Sequence, residues 1–257
     1  MMFMERIFYQ LKIVSMNGVG LAKYLAHAFG FRQKAPKVVF YLNTHTIRLV
    51  CEDEKLGKSY RVADAVYCDG WGAVWLARLA GVRIKERATT MDFFHVFCET
   101  AQNNKLKIFL LGGNNGVADR AMRRLGMLYP GLKIVGCSDG YFNNTEEIIK
   151  KINQSKPDVL LVGMGTPRQE KWLVENKNKL KIQLGWAVGS LFEYLAEDKP
   201  RSPVWLGKLH LEWLFRMIVE PNPGRRYLAD GLWLLKELSF GFFLKPFFQI
   251  ENPDGKK

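Results

Sequence analysis

Asp69 opens the run DGWG at 69–72, directly after the apolar stretch at 65–68. A carboxylate at the end of an apolar strand points into the crevice that the strand ends build, and neighbouring glycines let a ligand approach the backbone. Within hydrogen-bond reach of a hydroxyl, such a group can act as a general base. An Asp-Gly pair after a strand is also an ordinary turn signal, so spacing alone leaves both readings open. A second glycine turn, GGNNG at 112–116, stands between a strong strand and a helical run and fits a phosphate at a helix N-terminus. A third, GMGTPRQEK at 163–171, begins GxG but carries Arg168 where the dinucleotide fingerprint needs its next glycine. The GGNNG spacing fails that fingerprint too, which makes a nicotinamide enzyme a poor fit. The chain has no GxxxxGK[ST] loop, HExxH pair or GxSxG elbow, which counts against P-loop nucleotidases, zincins and serine hydrolases. Of the four scattered histidines, only His45, two residues past a strand end, is placed to matter.

These residues need a scaffold that brings them together. Apolar β-rich runs fall at 38–41, 65–68, 107–111, 133–135, 159–162 and 182–188, and each ends at a polar residue or a glycine. Segments of helical length and period lie between them at 72–79, 91–103, 117–129, 146–154 and 169–176. Asn144 and Thr145 precede Glu146 and Glu147, an N-cap with acids in the first turn that complement the helix dipole. Continuous apolar strands alternating with helices predict an α/β fold, a Rossmann-like parallel sheet with helices on both faces. Asn43, Asp69, Gly112, Gly113, Gly163 and Gly189 would then rim one crevice at the carboxyl ends of the strands.

The chain has 257 residues, and Lys plus Arg outnumber Asp plus Glu by 38 to 25, a net charge of +13. That surplus suits a polyanionic partner: nucleic acid, an anionic membrane surface or a phosphorylated substrate. The basic residues are spread along the chain instead of being clustered with stacking aromatics, which argues against nucleic acid. Cys51, Cys68, Cys98 and Cys137 are widely spaced singletons, so neither a disulfide framework nor a zinc knuckle is indicated, and a reducing compartment is expected. The first residues do not read as a secretion signal, and no run of about 20 apolar residues exists. A cytoplasmic protein without a membrane span is expected.

From about Leu206 the composition changes. Leu206, Leu209, Trp213, Leu214, Met217 and Ile218 fall at helical spacing before the EPNPG break at 220–224. A second stretch from Tyr227 to about Phe243 carries leucines and aromatics interrupted by Lys236 and Glu237. Such a segment suits a helix lying in the membrane interface, while a packed helical hairpin is the plainer alternative. We therefore divide the chain into an α/β domain at 1–205, expected to carry the catalytic chemistry, with its core at about 38–195, and a C-terminal amphipathic helical appendage at 206–257, expected to associate with membrane.

Several motifs recur together and in order: DGWG at 69–72, IFLLGGNNGVA at 108–118, YPGLKIVG at 129–136, DGYF at 139–142, GMGTPRQEKW at 163–172 and LEWLFRMIVEP at 211–221. This set strongly resembles the WecG/TagA/CpsF glycosyltransferase family, from about Val38 to Tyr227. The resemblance implies a bacterial enzyme that moves a sugar from a UDP-sugar to a polyprenyl-diphosphate-linked acceptor, inverting the anomeric centre without a metal or other cofactor. It implies products such as teichoic-acid linkage units, enterobacterial common antigen, capsule or exopolysaccharide, and an appendage that attaches to the inner face of the membrane and completes the active site. The donor sugar would be of the N-acetylmannosamine, N-acetylmannosaminuronic acid or glucose type.

By the same resemblance, Asp69 aligns with the general base and Arg87 with an arginine near the pocket. Asn43 aligns with a polar residue of the sugar pocket and Gln169 with the glutamine of the family's PxQEKW motif, and Glu193 stands where many members have aspartate. Arg216, Arg225 and Arg226 fall in the arginine-bearing appendage. Thr44, Gly70, Gly112, Gly113, Gly163 and Gly165 complete the expected substrate-binding set, with no metal ligands. The chain departs from the family pattern at Tyr41, which aligns with a threonine used near the base in some members. It departs again at Ala88-Thr89-Thr90, at Cys137-Ser138-Asp139-Gly140, at His210, and at Gly189-Ser190-Leu191-Phe192-Glu193. Charge considerations assign Asp69 to the acceptor proton. Arg87, an appendage arginine and the amides near Gly112-Gly113 are the candidates for the departing diphosphate. A homo-oligomer is compatible with this reading. A non-catalytic membrane-surface protein or a nucleic-acid-binding basic protein is the alternative.

Overall fold

The computed structural model describes residues 11–28, 35–79, 82–200, 202–203, 206, 212–219, 223–239 and 248–250. Eight strands form one sheet: β1 (Leu11–Ile13), β2 (Lys37–Leu42), β3 (Ala65–Cys68), β4 (Lys107–Gly112), β5 (Lys133–Ser138), β6 (Val159–Gly163), β7 (Leu184–Ala187) and β8 (Phe248–Ile250). Their order is β5-β4-β6-β7-β2-β3-β1-β8, and every neighbouring pair is parallel. The six strands read from the sequence are all present, and the α/β class holds. Two strands were not read from the sequence. β1 pairs Ile13 with Val66 of β3, and β8 adds an outer edge with Leu11 opposite Phe248.

Helices cover both faces, as the alternation along each strand demands. Val39, Tyr41, Ile108 and Leu110 face one layer, which includes Leu21 and Leu25 of α1 (Gly18–Ala28), Phe93 and Phe97 of α5 (Thr90–Asn103), and Ala121 and Leu125 of α6 (Val117–Leu128). Val38, Phe40, Phe109 and Leu111 face the other. That layer is built from α2 (Thr44–Glu52), α3 (Glu54–Arg61), α4 (Trp71–Leu79), α7 (Thr145–Ser155) and α8 (Arg168–Asn176). α9 (Leu191–Leu195) closes the turn after β7, and α10 (Glu212–Val219) and α11 (Pro223–Ser239) form the C-terminal helical part.

α2 and α3 were also unread in the sequence. Both are defined by their caps: Asn43 forms a capping box with Thr46, and Asp53 ends α2 while its side chain accepts from Leu56 N at the start of α3. At the amino ends of the strands, carboxylates hold the sheet together. Asp64 accepts from Val38 N at 2.9 Å and from Lys37 and Lys177, and Asp158 accepts from Lys107 N at 2.8 Å. Chemistry is left to the opposite ends.

Candidate active site

Asp69 lies at the carboxyl end of β3, half-buried, with its amide donating to Leu42 O at 2.7 Å. Its Oδ2 accepts from Thr90 Oγ1 at 3.1 Å and more distantly from Thr90 N at 3.4 Å. Behind Thr90 stands Tyr67, whose hydroxyl is 2.6 Å from Thr90 Oγ1, and Trp186 Nε1 donates to that hydroxyl at 3.1 Å. Thr90 gives its only hydroxyl proton to Asp69, so Tyr67 must donate to Thr90. Every bond therefore runs from Trp186 through Tyr67 and Thr90 to Asp69, and the carboxylate is the terminal acceptor. Rings of Phe93 and Phe97 pack on Trp186 with centroids at 5.7 and 5.1 Å and fix the start of the relay. Thr90, Tyr67 and Trp186 were not read as site residues. The signal available for Tyr67 and Trp186 was an aromatic side chain with a polar handle inside an otherwise apolar strand, and Thr90, the first residue of α5, offered none.

A second relay lies under the ends of β2, β6 and β7. Thr166 Oγ1 donates to Glu170 Oε1 at 2.9 Å, so the Tyr41 hydroxyl, 3.3 Å away, donates to Thr166. Gln169 Nε2 donates to Glu170 Oε1 at 2.8 Å, and its Oε1 accepts from Gly189 N at 3.2 Å. Gln169 and Glu170 are both 0% exposed. Gln169, expected among the substrate-binding residues, ties α8 to the turn after β7. Burial pushes the Glu170 carboxyl above the usual range, opposed by the bonds from Gln169 and Thr166, and its Oε2 has no partner among the described residues. Burial and the nearby Glu170 push the Tyr41 hydroxyl up as well, so Tyr41 stays neutral.

The glycines have distinct jobs. Gly70, at φ +110°, has open space where a side chain would stand, as has Gly165 at φ +77°. Gly72 lets α4 pass α2, because a Cβ there would meet the Thr44 hydroxyl at 2.1 Å. Gly112 and Gly163 serve close approach of backbones: a Cβ on Gly112 would lie 2.2 Å from Gly163 O, and one on Gly163 2.8 Å from Gly189 O. The Gly113 amide donates to Gly163 O at 2.9 Å, so it is already engaged within the sheet end and is not turned to a phosphate. Asn43 likewise uses its side-chain oxygen to cap α2.

Arg87 sits elsewhere in the crevice. Ala88 N donates to Cys68 O at 2.9 Å, pinning the segment to the end of β3, and Arg87 faces Asp92 at 3.6 Å. The four strand steps from β4 to β3 span roughly 19 Å. Arg87 and the Gly112-Gly113 turn therefore do not meet at one diphosphate, which corrects the expectation that grouped them. Glu193 lies on α9, half-buried in the turn region after β7. Arg216 and Arg225 fall on α10 and α11, with their side chains outside the described residues.

One polar clasp fastens α11 to α2. Asp230 Oδ1 accepts from Arg48 Nε at 2.7 Å and from His45 Nδ1 at 3.1 Å, and Asp230 is only 4% exposed. Burial alone would raise the Asp230 carboxyl, but His45 and Arg48 outweigh it and hold the group below the usual range. Among the described residues, no three His, Cys, Asp or Glu side chains are grouped to hold a metal ion.

A parallel sheet with a relay-held carboxylate and open glycine turns at its carboxyl edge is an α/β frame whose ligand site lies at the strand ends. The chain belongs to the Glycosyl transferase WecG/TagA/CpsF family, whose model matches residues 7–241, and it is a glycosyltransferase. An N-acetylglucosaminyldiphosphoundecaprenol N-acetyl-beta-D-mannosaminyltransferase of Bacillus subtilis (strain 168) is 26% identical over 249 residues, 97% of each chain. The Staphylococcus aureus (strain MRSA252) enzyme of the same name is 31% identical over 186 residues, 72% of this chain and 70% of its own. One from Bacillus spizizenii (strain ATCC 23059 / NRRL B-14472 / W23), also of that name, is 29% identical over 65% of each chain.

Proposed function

We propose that the protein transfers N-acetylmannosamine from its UDP conjugate to N-acetylglucosamine carried on a polyprenyl diphosphate, with inversion at the anomeric carbon. The relay ending on Asp69 carries this reading, because it presents a half-buried carboxylate as a proton acceptor at the mouth of the crevice. In the reaction, the acceptor hydroxyl gives its proton to Asp69 as its oxygen bonds the anomeric carbon. The bond from that carbon to UDP breaks, and UDP leaves with the electron pair as an anion that needs no proton. General-base assistance of this kind contributes about 10²–10⁴-fold. The carboxyl ends of β4, β6 and β7 receive the nucleotide, with the open turn at Gly165 beside it, and an appendage arginine, Arg216 or Arg225, meets the departing diphosphate without a metal ion.

The C-terminal helices attach the enzyme to the cytoplasmic face of the membrane. Leu228, Leu232 and Leu235 are each more than half exposed along one face of α11, and Ile218 of α10 is 78% exposed. Together with the +13 surplus they suit an anionic lipid interface. Among the described residues no helix is long and apolar enough to cross a membrane. The test is a panel of UDP-sugars offered with undecaprenyl-diphosphate N-acetylglucosamine, with and without EDTA. Transfer from UDP-N-acetylmannosamine that survives EDTA is expected. Transfer only from another UDP-sugar overturns the donor, and activity abolished by EDTA and restored by magnesium or manganese overturns the metal-free step.

A further inference from the structure

A cavity of about 340 Å³ opens over the carboxyl ends of β1 and β3, on the far side of Asp69 from the glycine turns. Its walls include Trp71, Arg87, Thr89 and Phe93, with two carboxylates, Glu86 and Asp92, beside the guanidinium. Thr89 adjoins Thr90, which holds Asp69, and Trp71 is two residues from that carboxylate, so the cavity lies beside the base. Outward along the same face of α4, one helical turn beyond Trp71, Trp75 is 54% exposed, and Val19 of α1 on the cavity rim is 49% exposed. The order is therefore a carboxylate, a guanidinium and an apolar lip.

A sugar carried on an isoprenoid diphosphate presents the matching order: a hydroxyl, two phosphates and a hydrocarbon chain. We propose that this cavity is the acceptor site, with Arg87 on the acceptor's diphosphate and the Trp71–Trp75 face of α4 against its first isoprene units. In a single displacement the acceptor oxygen enters opposite the leaving group, and roughly 19 Å separates β3 from β4, which leaves room for both ligands to meet at Asp69. Asp92 is half-exposed and 3.6 Å from Arg87, beyond hydrogen-bond distance, so a more highly charged diphosphate competes with it for the guanidinium. α4 packs on α2, and so does α11, which brings the apolar lip and the leucine face of the C-terminal helix onto elements that share a neighbour.

This inference rests on the reading of the enzyme as one that acts on a lipid-linked acceptor. It is tested on the full chain with UDP-N-acetylmannosamine and two acceptors, N-acetylglucosamine diphosphate on undecaprenol and on a short alkyl chain. Arg87→Ala should raise the KM for both acceptors about tenfold, while the Kd for UDP measured by calorimetry stays within about twofold. Trp75→Ser, at an exposed position, should raise the KM for the undecaprenyl acceptor alone. Loss of UDP affinity in Arg87→Ala with acceptor KM unmoved overturns the proposal and puts the donor in this cavity. An equal effect of Trp75→Ser on both acceptors overturns the isoprenoid assignment. A wild-type protein that binds UDP and transfers to neither acceptor overturns the parent reading and this one with it.

Discussion

Asp69 and Glu170 each end a relay in which a tyrosine donates to a threonine and the threonine to a carboxylate. The bond pattern is the same, and the surroundings differ. Asp69 is half-buried at the crevice mouth, whereas Glu170 is sealed between α8 and the sheet with neutral partners and an upward-shifted carboxyl. Burial leaves Asp69 within reach of a substrate and confines Glu170 to fixing the frame. A carboxylate that no substrate can reach orients its neighbours, and Glu170 does so by setting which end of Gln169 meets the Gly189 amide.

The sharpest way to break this contrast is Asp69→Asn. It should cost about 10²–10⁴-fold in turnover and leave UDP affinity unchanged. Wild-type-like turnover would remove Asp69 as the base.

A third carboxylate, Asp230, is buried like Glu170 but faced by the Arg48 guanidinium and the His45 ring. Asp230→Ala should cost about 2 kcal/mol and release α11, read as faster hydrogen exchange in α11 with the sheet still protected. The two interior carboxyls also respond oppositely to pH. Asp230 is depressed in the folded state, so its contribution is present above the ordinary carboxylate range and is lost as pH falls through it. Glu170 is raised, so its ionisation lowers stability as pH rises above that range, and acid relieves it. Exchange measured down a pH series should therefore show α11 loosening before α8. Simultaneous loosening would erase the distinction.

Thr90→Val should lower turnover about tenfold by removing the last step of the Asp69 relay, and Thr90→Ser should restore it. Equal turnover in both variants would mean that Asp69 is positioned without the relay. The smallest change is expected for Glu170→Gln, which keeps the shape and removes a buried charge, shifting stability by less than about 1 kcal/mol. A Tm lower by more than about 5 °C would show that the charge itself is needed.

Much of the frame was legible because parallel strands buried on both faces are written as continuous apolar runs. The strands at 107–112 and 159–163 and the helices between them follow directly from that pattern. β1 escaped because three residues carry too little periodicity to stand out. α3, with the sequence EKLGKSYR, escaped because its start is set by the Asp53 cap and its polar face outweighs the apolar one. Asn43 was legible as a strand end, but the same residue begins α2, and that second job was not visible until Thr46 came back to meet it. The Asp69 relay joins residues 67, 69, 90 and 186, and no local pattern links positions so far apart. The family resemblance marked Gln169, whereas the structure gives it a framing task that motif position alone does not describe.

The clasp between α2 and α11 also sets an order of events during synthesis. Arg48 must wait for Asp230, 182 residues later in the chain, an interval of roughly 9 to 36 s at ordinary translation rates. By then β2 to β7 have all emerged, with Asp69 and its relay among them. The crevice at the carboxyl ends of these strands can therefore assemble before the chain carries the helix that holds the leucine stripe. The Asp69 relay is thus formed before the clasp can close, and α11 docks onto a surface already built.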